Sequence, residues 1–374
     1  MAAIVLAIAI PLITAAPADA TAQEVTAQTR AQPAGVTAYW TTTIGDDGSI
    51  AGRLNEVHGD LYWRAGQDHT LPAYWSIDGI NANGQYAITE YNSGTYRALR
   101  QESDGSRVLV DATPNTSAYA INNGGSVLVG RFGTATSYLI WSGGTLRTVP
   151  AATPIAAGAA AVQRLNDIGQ LVPATDQRLW RCDLTQCVEL PVPAGHTIGR
   201  IVDIDNSGRI VGDLSANDVA YPAMWTGTSV RLLNTDGRGG AVEDVNNQGY
   251  VVGRMMTATG SRAVLWGSGS LRVRLALAEA VNTGATAVNE ANDVVFYDRP
   301  IINGKGYLCA YLWRSAEVIA LPRHTVTTST HPTSPTTAKW SEHPGRPPRS
   351  ATTHRPWARA TERRCGRPAD LNTD

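Results

Sequence analysis

The sequence predicts an all-β chain folded as a β-propeller, with seven blades of four antiparallel strands each. Three observations predict it. A unit of roughly 40 residues returns along most of the chain, a period that signals a propeller, a solenoid or an array. Inside each unit, short runs rich in Val, Ile, Tyr and Trp alternate with Asn, Gly and Ser clusters, the pattern of strands joined by tight turns. No segment sustains the helical apolar period of about 3.6 residues. The composition agrees: 13 Tyr and 10 Trp against only 2 Phe leave Trp and Tyr to supply the large core side chains.

The elements follow in chain order. Residues 1–20 hold an apolar run closed by Ala18-Asp19-Ala20, the small-x-small pattern of a signal-peptide cleavage site. The run is shorter than the ~20 apolar residues of a membrane-spanning helix and is broken by Pro11. Export is therefore expected, with a secreted or extracellular location and no membrane span in the mature chain. Residues 21–35 are polar and read as a linker.

The repeat domain is placed at residues 36–322. Its units carry IGDDGSIAG (44–52) with LYW (61–63), INANGQYAI (80–88) with YRALR (96–100), and INNGGSVLVG (121–130) with YLIW (138–141). Then come LNDIGQLVP (165–173) with RLW (178–180), IDNSGRIVG (204–212) with PAMW (222–225), VNNQGYVVG (245–253) with AVLW (263–266), and VNEANDVVF (288–296) with AYLW (310–313). In the sixth unit the pattern places strands at 241–245, 250–255, 262–266 and 270–275. The first turn of each unit needs a left-handed residue. It is Gly in six units, from Gly48 to Gly249, and Asn292 in the seventh; Asn is the residue other than Gly that best tolerates positive φ.

A lone four-stranded sheet exposes two apolar faces and two edges; stacking buries the faces, and ring closure removes the ends of the stack. Trp63, Trp141, Trp180, Trp225, Trp266 and Trp313 recur near the end of the third strand, where a large flat side chain fills the space between adjacent sheets. Leu99 takes that place in the second unit. Cys182 and Cys187 flank a turn position, and a disulfide there would staple a hairpin. Neither a second CxxC nor paired His accompanies them, which disfavours zinc. Residues 323–374 are rich in Pro, Thr and Arg with no apolar period and read as a disordered tail.

The order Ile/Val-Asn-x-x-Gly-x-Val-Val-Gly, a gap, then Ala-x-x-Trp resembles the extracellular HAF-repeat family of bacterial proteins. The best matches are residues 245–253 with Arg262-Ala263-Val264-Leu265-Trp266, and residues 204–212 with Ala223-Met224-Trp225. Arg262-Ala263-Val264 stands where the namesake His-Ala-Phe triplet falls. The resemblance implies an exported propeller-like repeat protein and carries no catalytic signature.

Catalytic chemistry has little support. The sequence lacks HExxH, GxSxG and P-loop patterns, and His58, His69 and His196 belong to loops of different units. Asp203-Ile204-Asp205-Asn206-Ser207-Gly208 begins like a calcium loop, but Leu214 stands at its closing position. The shape recurs in the sixth unit, so a turn device, with Asx side chains bonding local backbone, explains it better. Ser103-Asp104-Gly105-Ser106 departs from the sialidase Asp-box. The longest distinctive loop, residues 297–308, carries Asp298, Arg299 and Lys305 and reads as an exposed insertion. A formal net charge of −1 gives no general attraction to nucleic acid or anionic membrane.

The sequence thus points to a secreted, non-catalytic binding or scaffold protein with no cofactor, metal or catalytic residues, its partner an extracellular glycan or protein. The alternative is a propeller glycosidase, another extracellular hydrolase, or a lectin. Function is expected where the copies differ, in the loops between second and third strands and between units.

Overall fold

The computed structural model describes residues 39–44, 50–54, 60–64, 67–133, 137–150, 164–267, 272–275, 280, 282–302, 305–306 and 309–321. The expected signal peptide, linker and tail lie outside them. All regular structure among the described residues is strand. Six repeat units fold as four-stranded antiparallel sheets with strands in sequence order. The sixth unit is representative, with strands Gly240–Val245, Val251–Met256, Ser261–Trp266 and Arg272–Arg274. The first strands of neighbouring sheets pack side by side, as Thr197–Ile204 does against Gly240–Val245 and Gly240–Val245 against Thr283–Val288. They form the inner edge of the stack.

Backbone conformation explains the repeated turn. The left-handed residue has φ 67° at Gly84, 74° at Gly125, 81° at Gly169, 75° at Gly208 and 84° at Gly249, and Asn292 adopts 63°. The Gly that closes the Val-Val-Gly run has a different cause. In each of the six four-stranded sheets the register between first and second strand shifts by a bulge. At Gly253 the bulged strand comes so close that a Cβ would lie 2.0 Å from the Ala241 carbonyl oxygen.

The core lies between sheets. Trp266, Val251 and Val264 of the sixth unit pack with Val202, Val211 and Met224 of the fifth. Trp225 joins Val172, Leu179 and Leu190 of the fourth unit. Trp141 joins Ala87, Ala98 and Val110 of the second, and Trp180 joins Leu128, Tyr138 and Ile140 of the third. In the second unit the register corrects the expectation for Leu99: buried Gln101, opposite Tyr86, holds the place that Trp266 holds opposite Val251, and Leu99 is buried two residues earlier, opposite Ile88. Trp313 is only half-buried, against the cluster it shares with Val252 and Leu265. The Trp63 side chain lies outside the described residues. The indole nitrogens of Trp225 and Trp266 donate to the carbonyls of Pro191 (2.8 Å) and Asn234 (2.9 Å), in the chain leaving the previous sheet. These bonds fix the ring that covers the inter-sheet gap.

Two units depart from the expected four strands and a loop. In the fourth, only Leu179–Cys182 and Cys187–Leu190 form a regular ladder, while the inner positions keep isolated bridges, Leu165 to Leu171 and Ala174 to Leu179. Pro173 stands where Gly212 and Gly253 stand in their units and has no N–H to give the inner strand. Cys182 and Cys187 face each other across the surviving hairpin and form a disulfide. In the seventh unit, residues 297–308 are not a plain loop. The second strand runs on through Asp298, and Ile301–Ile302 pairs with Lys305–Gly306 as an added hairpin.

Candidate ligand-binding face

The two ends of the sheet stack differ in chemistry. At the end bearing the first turns, a ladder of hydrogen bonds joins each turn to the next from the second unit to the seventh. The leading Asx side chain first closes its own turn: Asn246 Oδ1 accepts from the backbone N–H groups of Gln248 (3.1 Å) and Tyr250 (3.0 Å). Its Nδ2 then donates to the carbonyl of Asn289 in the next unit at 2.9 Å. Asn81, Asn122 and Asn166 reach forward in the same way to Asn122, Asn166 and Asp205. A second rung links the following residues. The N–H groups of Ala82, Asn123, Asp167, Asn206 and Asn247 donate to side-chain oxygens of Asn123, Asp167, Asn206, Asn247 and Glu290.

Asp205 is the exception that explains the rule. A carboxylate has no Nδ2 to donate forward. Arg209, four residues on, donates to Asp205 Oδ2 and carries the missing donors itself, reaching the carbonyls of Asn247 at 2.6 Å and Gln248 at 3.3 Å. The Asp205 oxygens also accept from the N–H groups of Ser207 and Arg209. The calcium-like loop therefore works as a turn device with its acceptors engaged, and among the described residues no group of three His, Cys, Asp or Glu is placed to hold a metal.

The inner ends of three units bring together a trio that the sequence does not select as a group, although Asp203 and Asp244 each open a calcium-like loop. Two residues before the leading Asx, neighbouring units carry Arg164, Asp203 and Asp244. Arg164 Nε lies 3.6 Å from Asp203 Oδ1 and donates to the Val202 carbonyl at 2.8 Å. Burial pushes the Asp203 carboxyl up, against the opposing pull of Arg164. Burial likewise pushes Asp244 up to about 7, opposed by the N–H groups of Val288 and Val245 and reinforced by the charge of Asp203. Both Asp244 oxygens are occupied, Oδ1 by the Val245 N–H at 2.9 Å and Oδ2 by the Val288 N–H at 2.8 Å. Asp244 thus ties the sixth sheet to the seventh.

Other singled-out residues stay apart. His69, expected in a loop, lies instead on the first unit's fourth strand, Gln67–Thr70, where it pairs with Tyr62 and stacks on its ring with centroids 4.7 Å apart. His196 meets Tyr221 edge-on in the fifth. The Asp104 carboxylate accepts from Ser106 N and Oγ in an exposed turn. Asp298, expected in an exposed insertion, is buried at 8% exposure because the strand carries it into the sheet. Among the described residues its Oδ1 has no hydrogen-bond partner, and burial pushes its carboxyl up. Arg299 lies over the Tyr297 ring, and the Lys305 side chain is outside the described residues.

At the opposite end, where second strands turn into third strands, the copies diverge, and two exposed aromatic rings gather about a half-buried one beside the second unit. Tyr91 and Tyr96 face each other across the hairpin of Tyr86–Asn92 and Thr95–Gln101, with ring centroids 4.9 Å apart. Tyr74, from the connection between the first two units, meets Tyr91 edge-on at 5.7 Å. Tyr74 is 60% exposed and Tyr96 39%. Sequence reasoning missed this trio because none of its members recurs between units.

No protein-family model matches the chain, and no curated protein does. Solved structures do. The β-propeller domain of the Trilobed protease from Pyrococcus furiosus aligns with 76% of this chain and 98% of its own length, at 11% identity and a TM-score of 0.51. Porphyromonas gingivalis dipeptidyl peptidase 4 aligns at 9% identity and a TM-score of 0.51, over 75% of this chain; the match spans 52% of the peptidase. With the antiparallel sheets above, these likenesses define the chain as a β-propeller protein. At such identities they speak for the fold alone.

Proposed function

We propose that the chain is an exported, non-catalytic binding protein of the HAF-repeat type, whose seven units close into a ring and whose ligand meets the end with the divergent loops. The observation that carries this reading is the use made of carboxylates at the seams between sheets, buried at Asp60, Asp205 and Asp213 and half-buried at Asp244. Asp60 accepts from the Ile77 N–H of the next sheet, Asp213 accepts from the Val242 N–H and from Arg200, and Asp205 and Asp244 are engaged as described. These acids hold neighbouring units together, and an acid so occupied is poorly placed to shuttle protons. Export is supported by the Cys182–Cys187 disulfide, which belongs in an oxidising compartment.

A hydrolase is the second reading, favoured by one observation. Asp244, with its carboxyl pushed up to about 7, sits beside Asp203 and Arg164, as paired acid–base groups do. The experiment is turnover of chromogenic glycosides and peptides by the purified chain, beside the Asp203→Asn/Asp244→Asn variant. No turnover by either supports binding alone. Turnover lost in the variant overturns that reading in favour of the hydrolase.

A further inference from the structure

We infer that Tyr74, Tyr91 and Tyr96 form a stacking platform for a neutral polysaccharide chain, an inference that rests on the binding reading above and gives it a site and a ligand class. Three observations converge on these rings. The first is exposure. A solvated phenol ring keeps apolar surface in water, and clustered exposed aromatics mark interaction surfaces. Here three neighbouring rings share one surface, with centroid spacings of 5.7 and 4.9 Å. The ring planes meet at 68° and 49°, so half-buried Tyr91 braces the two exposed rings, Tyr74 and Tyr96, which are the ones offered to a sugar chain. The apolar C–H face of a sugar packs on the electron-rich face of the aromatic ring, and the phenol hydroxyls remain available to sugar hydroxyls.

The second observation is backbone strain. Tyr74 is the third residue of the turn closed by the Trp75 N–H to the Pro72 carbonyl at 3.1 Å, and its φ is 68°. In turns that need positive φ at this place, glycine is the residue ordinarily found. A bulky residue there is unfavourable, and a ring 60% exposed recovers little of that cost by packing. Strain kept for no more than one edge-on contact with Tyr91 points to a residue held for contact with something outside the fold.

The third observation is charge. Glu90, Arg97, Asn92 and Thr95, the pairs on either side of Tyr91–Tyr96, project to the opposite face of the sheet. On the face that carries the rings the next pair is Thr89 and Ala98, and the hairpin tip holds Ser93 and Gly94, none of them charged. Uncharged groups therefore border the rings, which favours neither an acidic nor a basic polymer.

The test is native affinity electrophoresis of the full chain through gels containing hydroxyethyl cellulose, xyloglucan, glucomannan or polygalacturonate. At least one of the three neutral polymers should retard the wild-type chain, with little effect of salt. Tyr96→Ala should lower the association constant about tenfold or more, and Tyr96→Phe, which keeps the ring, should stay within about threefold of wild type. Tyr74→Gly is the decisive variant. It relieves the turn, so its thermal midpoint should equal or exceed that of wild type while retardation falls about tenfold. Leu232→Ala, exposed on an outer strand, should change nothing. Absence of retardation by every neutral polymer overturns the inference, as does retardation by polygalacturonate alone or retardation untouched in Tyr74→Gly and Tyr96→Ala. Release of reducing ends from the retarding polymer would leave the platform standing and remove the non-catalytic reading, so the two failures are distinguishable.

Discussion

Replacing Asp205 and Arg209 singly and together isolates how one turn holds the next. In the second and fourth units the leading residue is Asn and the fifth is Gln, and the two side chains bond each other: Asn81 Nδ2 to Gln85 Oε1 at 2.7 Å, Asn166 Nδ2 to Gln170 Oε1 at 3.1 Å. The fifth unit has Asp and Arg instead. Arg209→Gln alone leaves an Asp205 side chain 1% exposed without its cation and strips donors from the Asn247 and Gln248 carbonyls. Losing charged hydrogen bonds at a buried carboxylate costs about 2–3 kcal/mol. Asp205→Asn alone sets an amide N–H against the guanidinium, donor to donor, and costs about 1–3 kcal/mol. The double variant restores the Asn–Gln pair and is expected within about 1 kcal/mol of wild type, because the two sites share their partners. Urea unfolding followed by tryptophan fluorescence measures all four proteins. A double variant that loses the sum of both single costs would refute the compensation argument.

Two further outcomes are expected. Trp266→Ala removes a side chain 2% exposed that packs between two sheets and should cost about 3–5 kcal/mol; an unchanged urea midpoint would contradict its place in the core. For Asp244, a folded pKa of about 7 above the ordinary 3.8 means the native chain holds the proton more tightly than the unfolded one. Its contribution is therefore full at low pH and is lost as pH rises from about 4 to about 7, by at most ~4 kcal/mol. Asp244→Asn should flatten the unfolding free energy across that window, and equal slopes in both proteins would rule the effect out.

What could be read from the sequence was what repeats for local reasons. Strands showed through alternation and turns through Gly. Asn292 could be aligned with the glycines because a left-handed turn residue is a local demand. The Cys182–Cys187 hairpin was legible for the same reason. The inter-turn ladder was not, since Asn246 satisfies its own turn with one atom and the next unit with another, and only the first is a neighbour in sequence. The bulge behind Gly253 was hidden because strand alternation says nothing about the partner strand. Asp298 was misplaced because a polar residue at a strand end looks like the start of a loop. The tyrosine platform joins a connection to a hairpin, and neither carries the repeat.

The inter-turn bonds that use a main-chain atom share a polarity. The donor sits on the earlier turn and the acceptor on the later one, from Asn81 to Asn122 through Asn247 to Glu290. Each unit therefore carries a plug on one side and a socket on the other. A gene that copies one unit in tandem produces a fitting joint at both seams without inventing a new contact. The same polarity sets a limit on such growth: a unit inserted in reverse order of its halves, or a turn that loses its donor as Asp205 did, must find another side chain to serve as the plug before the array can continue.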